Sequence, residues 1–435
     1  MPIQGRLSIK NRFVEVRRRA VAKRSPLASF VLVLGVVAPA TACAVATDDS
    51  ELTSTEADAL RLPPGSGGGG GIGTHPPFPS IGETLVEISA GKNHTCVRKL
   101  NGKVYCWGLT RYGQAGPSST TCLSGSPCVM QPSFTGITAI QVELGYDHTC
   151  VVDSVGAGRC WGANHNAQLG NGSVGILPTF PASSQPVLFN GAPLSFSMIS
   201  AGDFSVCGVT NGARNVFCWG SAGPGGFSGP GVPTPNPLMN EWGIVLDNIG
   251  SVSTWFAGGY IQFNLTTGGT DNYFFRGMEA NGRAHFEPAF DQGATRISAQ
   301  RSSACADKTN GTVECFGYNG NGELGDGTQN NSNVPVTVGG GMALHGVSSG
   351  ESQACALNPS GTAFCWGNAA NGGSLSPVAV TTPVPLTAVA AGEQHACGLG
   401  NDGHIYCWGH NENGQLGTGA WQNTTLPAVQ ALDPS

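Results

Sequence analysis

Fourteen of the fifteen cysteines in this 435-residue chain fall into close pairs, and thiols so arranged can share a metal ion or form a disulfide. Six pairs are alike: Cys96 with Cys106, Cys150 with Cys160, Cys207 with Cys218, Cys305 with Cys315, Cys355 with Cys365 and Cys397 with Cys407. Structural zinc wants ligands two to four residues apart. Here nine or ten residues intervene, with a turn signal between them such as Asn101-Gly102 or Asp402-Gly403. In five copies the glycine sits one residue past the midpoint, where a three-residue hairpin loop needs a left-handed residue. Folding about that turn sets the cysteines opposite each other at a non-hydrogen-bonded site, with Cα atoms about 4.5 Å apart, a span a disulfide bridges. The third pair has one extra loop residue, so its turn must differ. The seventh pair, Cys122 with Cys128, lies in a Gly/Ser/Pro-rich loop. Disulfides are expected throughout, and no metal.

Other residue types with catalytic capacity recur with the cysteines. His94, His148 and His395 occupy one position of the motif, which points to structural hydrogen bonding before ligation or base catalysis. Trp107, Trp161, Trp219, Trp366 and Trp408 are likewise spaced by repeat, as packing residues are. The chain holds no Gly-x-Ser-x-Gly elbow, no His-Glu-x-x-His, no phosphate loop and no sialidase-type Ser-x-Asp-x-Gly-x-Thr-Trp box. No catalytic residue and no cofactor are expected. A carboxylate pair assembled at a ring centre remains the route by which a hydrolase or lyase would arise.

These groups are positioned by a repeat. A small apolar lead-in, Ile-Ser-Ala-Gly or a variant, precedes each copy, with its third residue at Ala90, Leu144, Ala201, Ala257, Ala299, Ser349 and Ala391. In the fourth copy this alignment puts Phe263 and Phe275 in the two cysteine positions, both lost together. There is no convincing amphipathic helix after residue 80; glycine is abundant (66) and charged residues are sparse (11%). A period of roughly 50 residues fits one four-stranded blade. The expected fold is all-β, a seven-bladed β-propeller over residues 80–435 with one hairpin disulfide in six of its seven blades. An open solenoid is the alternative and would need polar caps.

Residues 1–42 read as a signal peptide: eight Lys/Arg against Glu15 in residues 1–24, a short apolar run, then Ala40-Thr41-Ala42. Arg18-Arg19 loosely resembles a twin-arginine signal, with an over-extended start as the bland alternative. Ala40-Thr41-Ala42-Cys43 resembles a bacterial lipobox, although leucine is usual where Ala40 stands. Lipidation of Cys43 gives the one unpaired thiol a use; secretion after cleavage at the same bond is the alternative. Residues 43–79 form a Gly/Pro/acidic tether. The expected location is the bacterial cell envelope, lipid-anchored to the outer membrane or secreted, with membrane contact only through the anchor.

Cys407-Trp408-Gly409-His410-Asn411-Glu412-Asn413-Gly414-Gln415-Leu416-Gly417 resembles the regulator of chromosome condensation repeat. So do the stretches Ala163–Gly170 and Tyr318–Thr328. The resemblance covers residues ~85–432 and implies a seven-bladed propeller. It departs in the fourth repeat, at Phe316, and in the weak Gly-Gln-Leu-Gly elements of repeats three and six. The namesake's nucleotide exchange on a nuclear GTPase and its chromatin binding do not suit an oxidising compartment. Removing the eight basic residues and one acid of residues 1–24 from totals of 21 and 27 leaves 13 and 26, a net of −13. Nucleic acid is not an expected partner for so acidic a domain. Secreted bacterial propellers of this class, one of them an inhibitor of β-lactamases, imply an extracellular or envelope protein as partner, with a surface glycan second.

Long insertions at residues 112–135, 171–195 and 221–248 all follow the Trp-Gly strand, which places them on one face. Cys122–Cys128 would brace the first. Interface energy concentrates in aromatic and arginine residues, so the candidate binding residues are Arg111, Tyr112, Phe180, Phe227 and Trp242; crossover connections without function are the bland alternative. Trp421 and Trp242 are the aromatics the repeat does not explain.

A Pro-Val-x-Val-like strand precedes the later lead-ins, at Pro335–Val338 and Pro383–Leu386, but only Pro79-Ser80-Ile81 precedes the first. The C-terminal Leu426–Ala431 is therefore expected to supply the missing strand beside the first repeat and close the ring. Truncation after residue 420 should lower the melting temperature by at least ~5 °C; a thermal scan showing none lost would contradict this.

Overall fold

The computed structural model describes residues 83–434, apart from 118–119, 176–178, 182–183, 221–231, 239–245, 247–248, 256–257, 265–269, 277–284, 289, 291–292, 302 and 369–372. The stretches read as signal peptide and tether, with Cys43, lie outside these residues. What is described is all-β and propeller-like: five four-stranded antiparallel sheets, one seven-stranded sheet and a two-stranded hairpin. In each four-stranded sheet the strands pair in chain order. The last, for example, runs Leu386–Ala391, His395–Gly400, Ile405–Gly409 and Thr424–Gln430.

The cysteine hairpins fold in the expected register. Cys96 lies opposite Cys106, Cys150 opposite Cys160 and Cys207 opposite Cys218. Likewise Cys305 faces Cys315, Cys355 faces Cys365 and Cys397 faces Cys407. All six pairs are disulfides, with Cα–Cα of 4.0–4.1 Å. The strands are thus drawn a little closer than the spacing expected of an unbridged pair. Cys122 and Cys128 form the seventh disulfide at a wider 5.7 Å, outside the hairpin scheme. The turn glycines Gly102, Gly156, Gly311, Gly361 and Gly403 all have φ between 80° and 86°. The third hairpin's longer loop uses two left-handed residues instead, Gly212 and Arg214.

The fourth copy corrects the sequence alignment. The inner strand Ile249–Trp255 pairs Ser253 with Tyr260, the register in which Ser89 faces Cys96, so Thr254 and not Ala257 matches Ala90. Tyr260 then lies opposite Phe274 in the cysteine positions, while Phe263 faces Asp271 and Phe275 faces Gly259. The Ala257-Gly258 pair imitates the lead-in three residues too late.

A second correction concerns the C-terminus. Thr424–Gln430 pairs with Ile405–Gly409 of its own repeat, not with the first. Of the two Pro-Val stretches, Pro335–Thr337 lies in Ser332–Thr337, the outer strand of the preceding sheet beside Val313–Gly317, whereas Pro383–Pro385 lies in no strand: Leu386 opens the inner strand of the last sheet, and the outer strand before it is Ser374–Ala379. Among the described residues the sheet of the first repeat starts at its inner strand Leu85–Ala90, which needs no strand from the C-terminus. Prolines suit these outer strands, because an edge position needs no ladder N–H. Truncation after residue 420 would instead strip the outer strand from the last sheet. Pro127–Leu144 is a single 18-residue strand that serves as outer strand of the first repeat and inner strand of the second, which joins those two sheets into one.

Neighbouring repeats are tied by hydrogen bonds from recurring side chains. The indole N–H groups of Trp161, Trp219 and Trp366 donate to the carbonyls of Gln114, Gln168 and Glu323 in the preceding repeat, at 3.0, 3.0 and 2.8 Å. Trp107 donates at 2.8 Å to Gln415 of the last repeat. At the inner strands, Ser89, Ser200, Ser253, Ser298 and Ser348 accept from the backbone N–H of Leu144, Thr254, Ala299, Ser349 and Ala391 in the next repeat, at 2.9–3.2 Å. Glycines that follow the lead-ins are equally constrained. A Cβ on Gly91 or Gly145 would sit 2.4 Å from the carbonyl oxygen of the following turn, and one on Gly392 would sit 2.7 Å from that of Gly91.

The corrected register of the fourth copy makes a chemical prediction. Tyr260→Cys with Phe274→Cys should form a hairpin disulfide on air oxidation, whereas Phe263→Cys with Phe275→Cys should keep both thiols. Alkylation followed by peptide mass analysis reads the outcome; the reverse pattern would refute this register.

Candidate functional site: the loop face and its acidic mouth

Turns leaving the inner strands and loops leaving the third strands open on the same end of the sheets. His94, just after one such turn, pairs with Gly108, just before one such loop. The first repeat contributes Arg111 and Tyr112 here, and the second contributes His165 and Phe180. Thr179 N–H donates to the Tyr112 carbonyl at 3.1 Å, and a Cβ on Gly113 would lie 3.0 Å from the Phe180 ring. The Arg111 guanidinium lies 5.5 Å from the Tyr112 ring centroid, and that ring is 5.5 Å from His165. Three of the five expected binding residues are thus brought together, with Arg111 and Phe180 exposed. Phe227 and Trp242 fall outside the described residues. His165 was hidden among the motif residues of the second repeat. The Cys122–Cys128 loop points elsewhere: Ser124 donates to Asn413 at 2.6 Å, which rests this loop on the last repeat.

Inward of this cluster the turns form a charged mouth. Lys92 lies 3.5 Å from Glu393 and 4.1 Å from the Tyr146 ring centroid, and it donates to the Tyr146 hydroxyl. The Tyr146 and Phe204 rings are 5.5 Å apart. Gln114 donates to Asp147 at 3.2 Å, and Arg301 pairs with Glu351. Burial pushes the Asp147 carboxyl up to about 6, against the pull of Lys92 and then Arg111. It does the same to Asp203, also to about 6, against Arg301 and then Lys92. Asp203 Oδ1 and Glu351 Oε2 are buried and accept no hydrogen bond from the described residues.

Behind the mouth is a cavity of about 310 Å³, lined by the inner strands of all seven repeats. Glu143 stands there at the position the serines hold in five other repeats. Burial, then the nearby Glu87, pushes its carboxyl up to about 8, so it carries a proton at neutral pH. Burial also raises Glu87, although Arg98 binds it at 2.6 Å and Val142 N–H donates to it at 3.3 Å. Arg296 reaches both carboxylates electrostatically.

The motif histidines are structural in two cases. His94 Nε2 meets the Thr149 hydroxyl at 3.0 Å, and His395 Nε2 meets that of Thr95 at 2.8 Å, each in the next repeat. At His148 the corresponding residue is Val206, and neither ring nitrogen finds a partner among the described residues. Burial holds all three rings down at about 3, hence neutral. Among the described residues no three His, Cys, Asp or Glu side chains are grouped to hold a metal.

This architecture has relatives. The signature described as the regulator of chromosome condensation (RCC1) repeat matches residues 85–114 and 386–415, and a second form of it matches 101–152 and 402–433. Prp20p from Saccharomyces cerevisiae superposes with a TM-score of 0.61 at 15% identity, over 81% of this chain and 88% of that one. Yeast RCC1 (Prp20) bound to Kap60 gives 0.62, again at 15%, over 86% and 90%. In sequence, the human probable E3 ubiquitin-protein ligase HERC4 is 30% identical over 259 residues, 58% of this chain and 19% of that protein. The Danio rerio RCC2 homolog is 28% identical over 165 residues, 33% of this chain and 32% of that protein. The chain thus spans about a fifth to a third of these two relatives. Its first and last repeats are RCC1 repeats, and sequence relatives and fold alike support the RCC1 repeat family.

The raised Asp203 carboxyl sets a sign for stability. The native state holds its proton more tightly than the unfolded chain, so this aspartate costs stability above about pH 6, and the cost fades as pH falls towards 3.8. Asp203→Asn should therefore raise stability at pH 7 by on the order of 2–3 kcal/mol, with the gain gone near pH 4. Paired denaturant titrations at the two pH values measure it; a destabilised variant at pH 7 would contradict it.

Proposed function

We propose that seven blades close into one ring, held at the bacterial cell envelope through lipidated Cys43, and that the loop face binds another protein. The observation that carries the binding reading is the convergence of Arg111, Tyr112, His165 and Phe180, from the loops of two repeats, beside the acidic mouth. Aromatic and arginine side chains on a rigid support supply interface energy at low ordering cost. The Trp107–Gln415 and Thr95–His395 bonds between the first and last repeats support closure. So does the presence of all seven inner strands around one cavity. The disulfides suit an oxidising compartment, and the acidic domain speaks against nucleic acid. The relatives are named as ligases, a GTPase regulator and Kap60- or histone-binding proteins. Such names are compatible with a protein-binding propeller, but the partners named there belong to those proteins.

Trp421, 44% exposed and outside the repeat scheme, favours a surface glycan as the second ligand class. The convergence of Glu87 and Glu143 is what a propeller hydrolase would require. Glu87, however, is already engaged by Arg98 and by a backbone N–H, which leaves a binding cavity the better description.

Affinity capture tests the reading. The oxidised protein, immobilised, is exposed to envelope extract and culture supernatant beside an Arg111→Ala/Tyr112→Ala/Phe180→Ala variant. A retained protein lost at least about tenfold in the variant is expected; retention that ignores these three side chains would defeat it.

A further inference from the structure

The mouth contains one finished cation contact and the parts of a second. Lys92 is the finished one, with its ammonium over the Tyr146 ring, against Glu393 and on the Tyr146 hydroxyl. Beside it the Phe204 ring packs on Tyr146 next to Asp203, which is only 3% exposed. Asp203 Oδ1 accepts nothing from the described residues. Glu351, 7% exposed, gives one oxygen to Arg301 and leaves Oε2 without a donor. Arg301 acts on both acids and so links them, and among the described residues its ion pair is with Glu351. A buried carboxylate oxygen without a donor is among the costlier features a fold can keep. Four carboxylates (Asp147, Asp203, Glu351 and Glu393) meet Lys92 and Arg301, with Arg111 acting on Asp147 from the rim, so the mouth is still short of positive charge.

We infer that the mouth is a receptor for one basic side chain, a lysine or arginine projecting from a protein partner, whose N–H groups donate to Asp203 and Glu351 beside the Phe204 ring. The inference rests on the protein-binding reading above and names what the partner inserts. A cation is favoured over a hydroxyl or amide by the uncompensated charge, and cation–π attraction to a ring adds to it, as Lys92 on Tyr146 already illustrates. A guanidinium satisfies separated oxygens more readily than an ammonium, since its five donors are held in a fork. A bare divalent ion would want three or more converging carboxylates, and the described residues offer no such group. The −13 carried by residues 43–435 draws a basic partner from solution.

The test uses the oxidised protein and a capped tripeptide with a central arginine, alongside the same peptide with the neutral isostere citrulline, followed by NMR titration. The arginine peptide should bind about tenfold more tightly, a difference that shrinks with added salt. Asp203→Asn should abolish that preference while the melting temperature holds or rises, which separates lost recognition from lost folding. Equal binding of the two peptides would overturn the inference. So would an arginine preference that survives in Asp203→Asn, or calcium chloride displacing the peptide by binding the carboxylates itself. The two readings fail separately. Should capture of a protein still depend on Arg111, Tyr112 and Phe180 while the peptides are not distinguished, the loop face stands and the mouth does not. Should the peptides be distinguished while no protein is captured, the mouth stands alone.

Discussion

An inner strand at the centre of a propeller has one edge without a neighbour, and its backbone N–H groups must be satisfied by something other than a ladder. Here the serine of the lead-in does this, each hydroxyl accepting from the inner strand of the following repeat. At roughly 1–3 kcal/mol for a buried donor left unpaired, five such bonds decide whether the centre can exist at all. They also set the distance between repeats. Farther out the Trp-to-carbonyl bonds, at 2.8–3.0 Å, tie the repeats a second time, including two junctions where no serine is present.

Departures from this scheme coincide with the chemistry. In the second repeat Glu143 replaces the serine, and the junction to the third is held by Gln141 instead, whose amide both accepts from and donates to Ile199 at 2.8 and 2.9 Å. The carboxylate so released projects into the cavity, where burial keeps it protonated. In the last repeat Ala390 has no hydroxyl to give, and the contact with the first is carried by the turns: Glu393 N–H donates to the Lys92 carbonyl at 3.2 Å. That backbone bond holds the Lys92–Glu393 pair, and with it one side of the mouth, in place.

What could be read beforehand follows from where the information lies along the chain. The cysteine hairpins are local, ten or eleven residues from thiol to thiol, and each carries its own turn signal, so register and pairing were legible. The fourth copy lacked the cysteines that anchor the alignment, and Ala257-Gly258 outweighed Ser253-Thr254, where the serine and not the glycine marks the frame. Ownership of the outer strand was misread because a strand between two hairpins can pair with either, and sequence adjacency to the next lead-in says nothing of hydrogen bonding. The mouth was invisible for a different reason. Lys92, Asp147, Asp203, Arg301, Glu351 and Glu393 stand some 40–100 residues apart and look unremarkable singly; only the packing of successive turns brings them together.

That packing also explains why so costly a set of charges is tolerated. The turns carrying Lys92, Asp147 and Glu393 are fixed by contacts that leave no room for a Cβ at Gly91, Gly145 or Gly392, the Gly145 contact being with the carbonyl of Gly202 beside Asp203, and disulfides cross the hairpins immediately behind these turns and behind that of Asp203. A flexible loop would swing Asp203 into water and recover its solvation. Held as it is, the aspartate keeps its desolvation, and its carboxyl titrates near 6 instead of near 4. Rigidity therefore does two jobs at the loop face: it stabilises the domain, and it preserves the electrostatic debt that a basic group arriving from outside can settle. On the proposed reading, a face organised in this way would discriminate by charge more sharply than by shape, because the donor it lacks is specified by fixed oxygens.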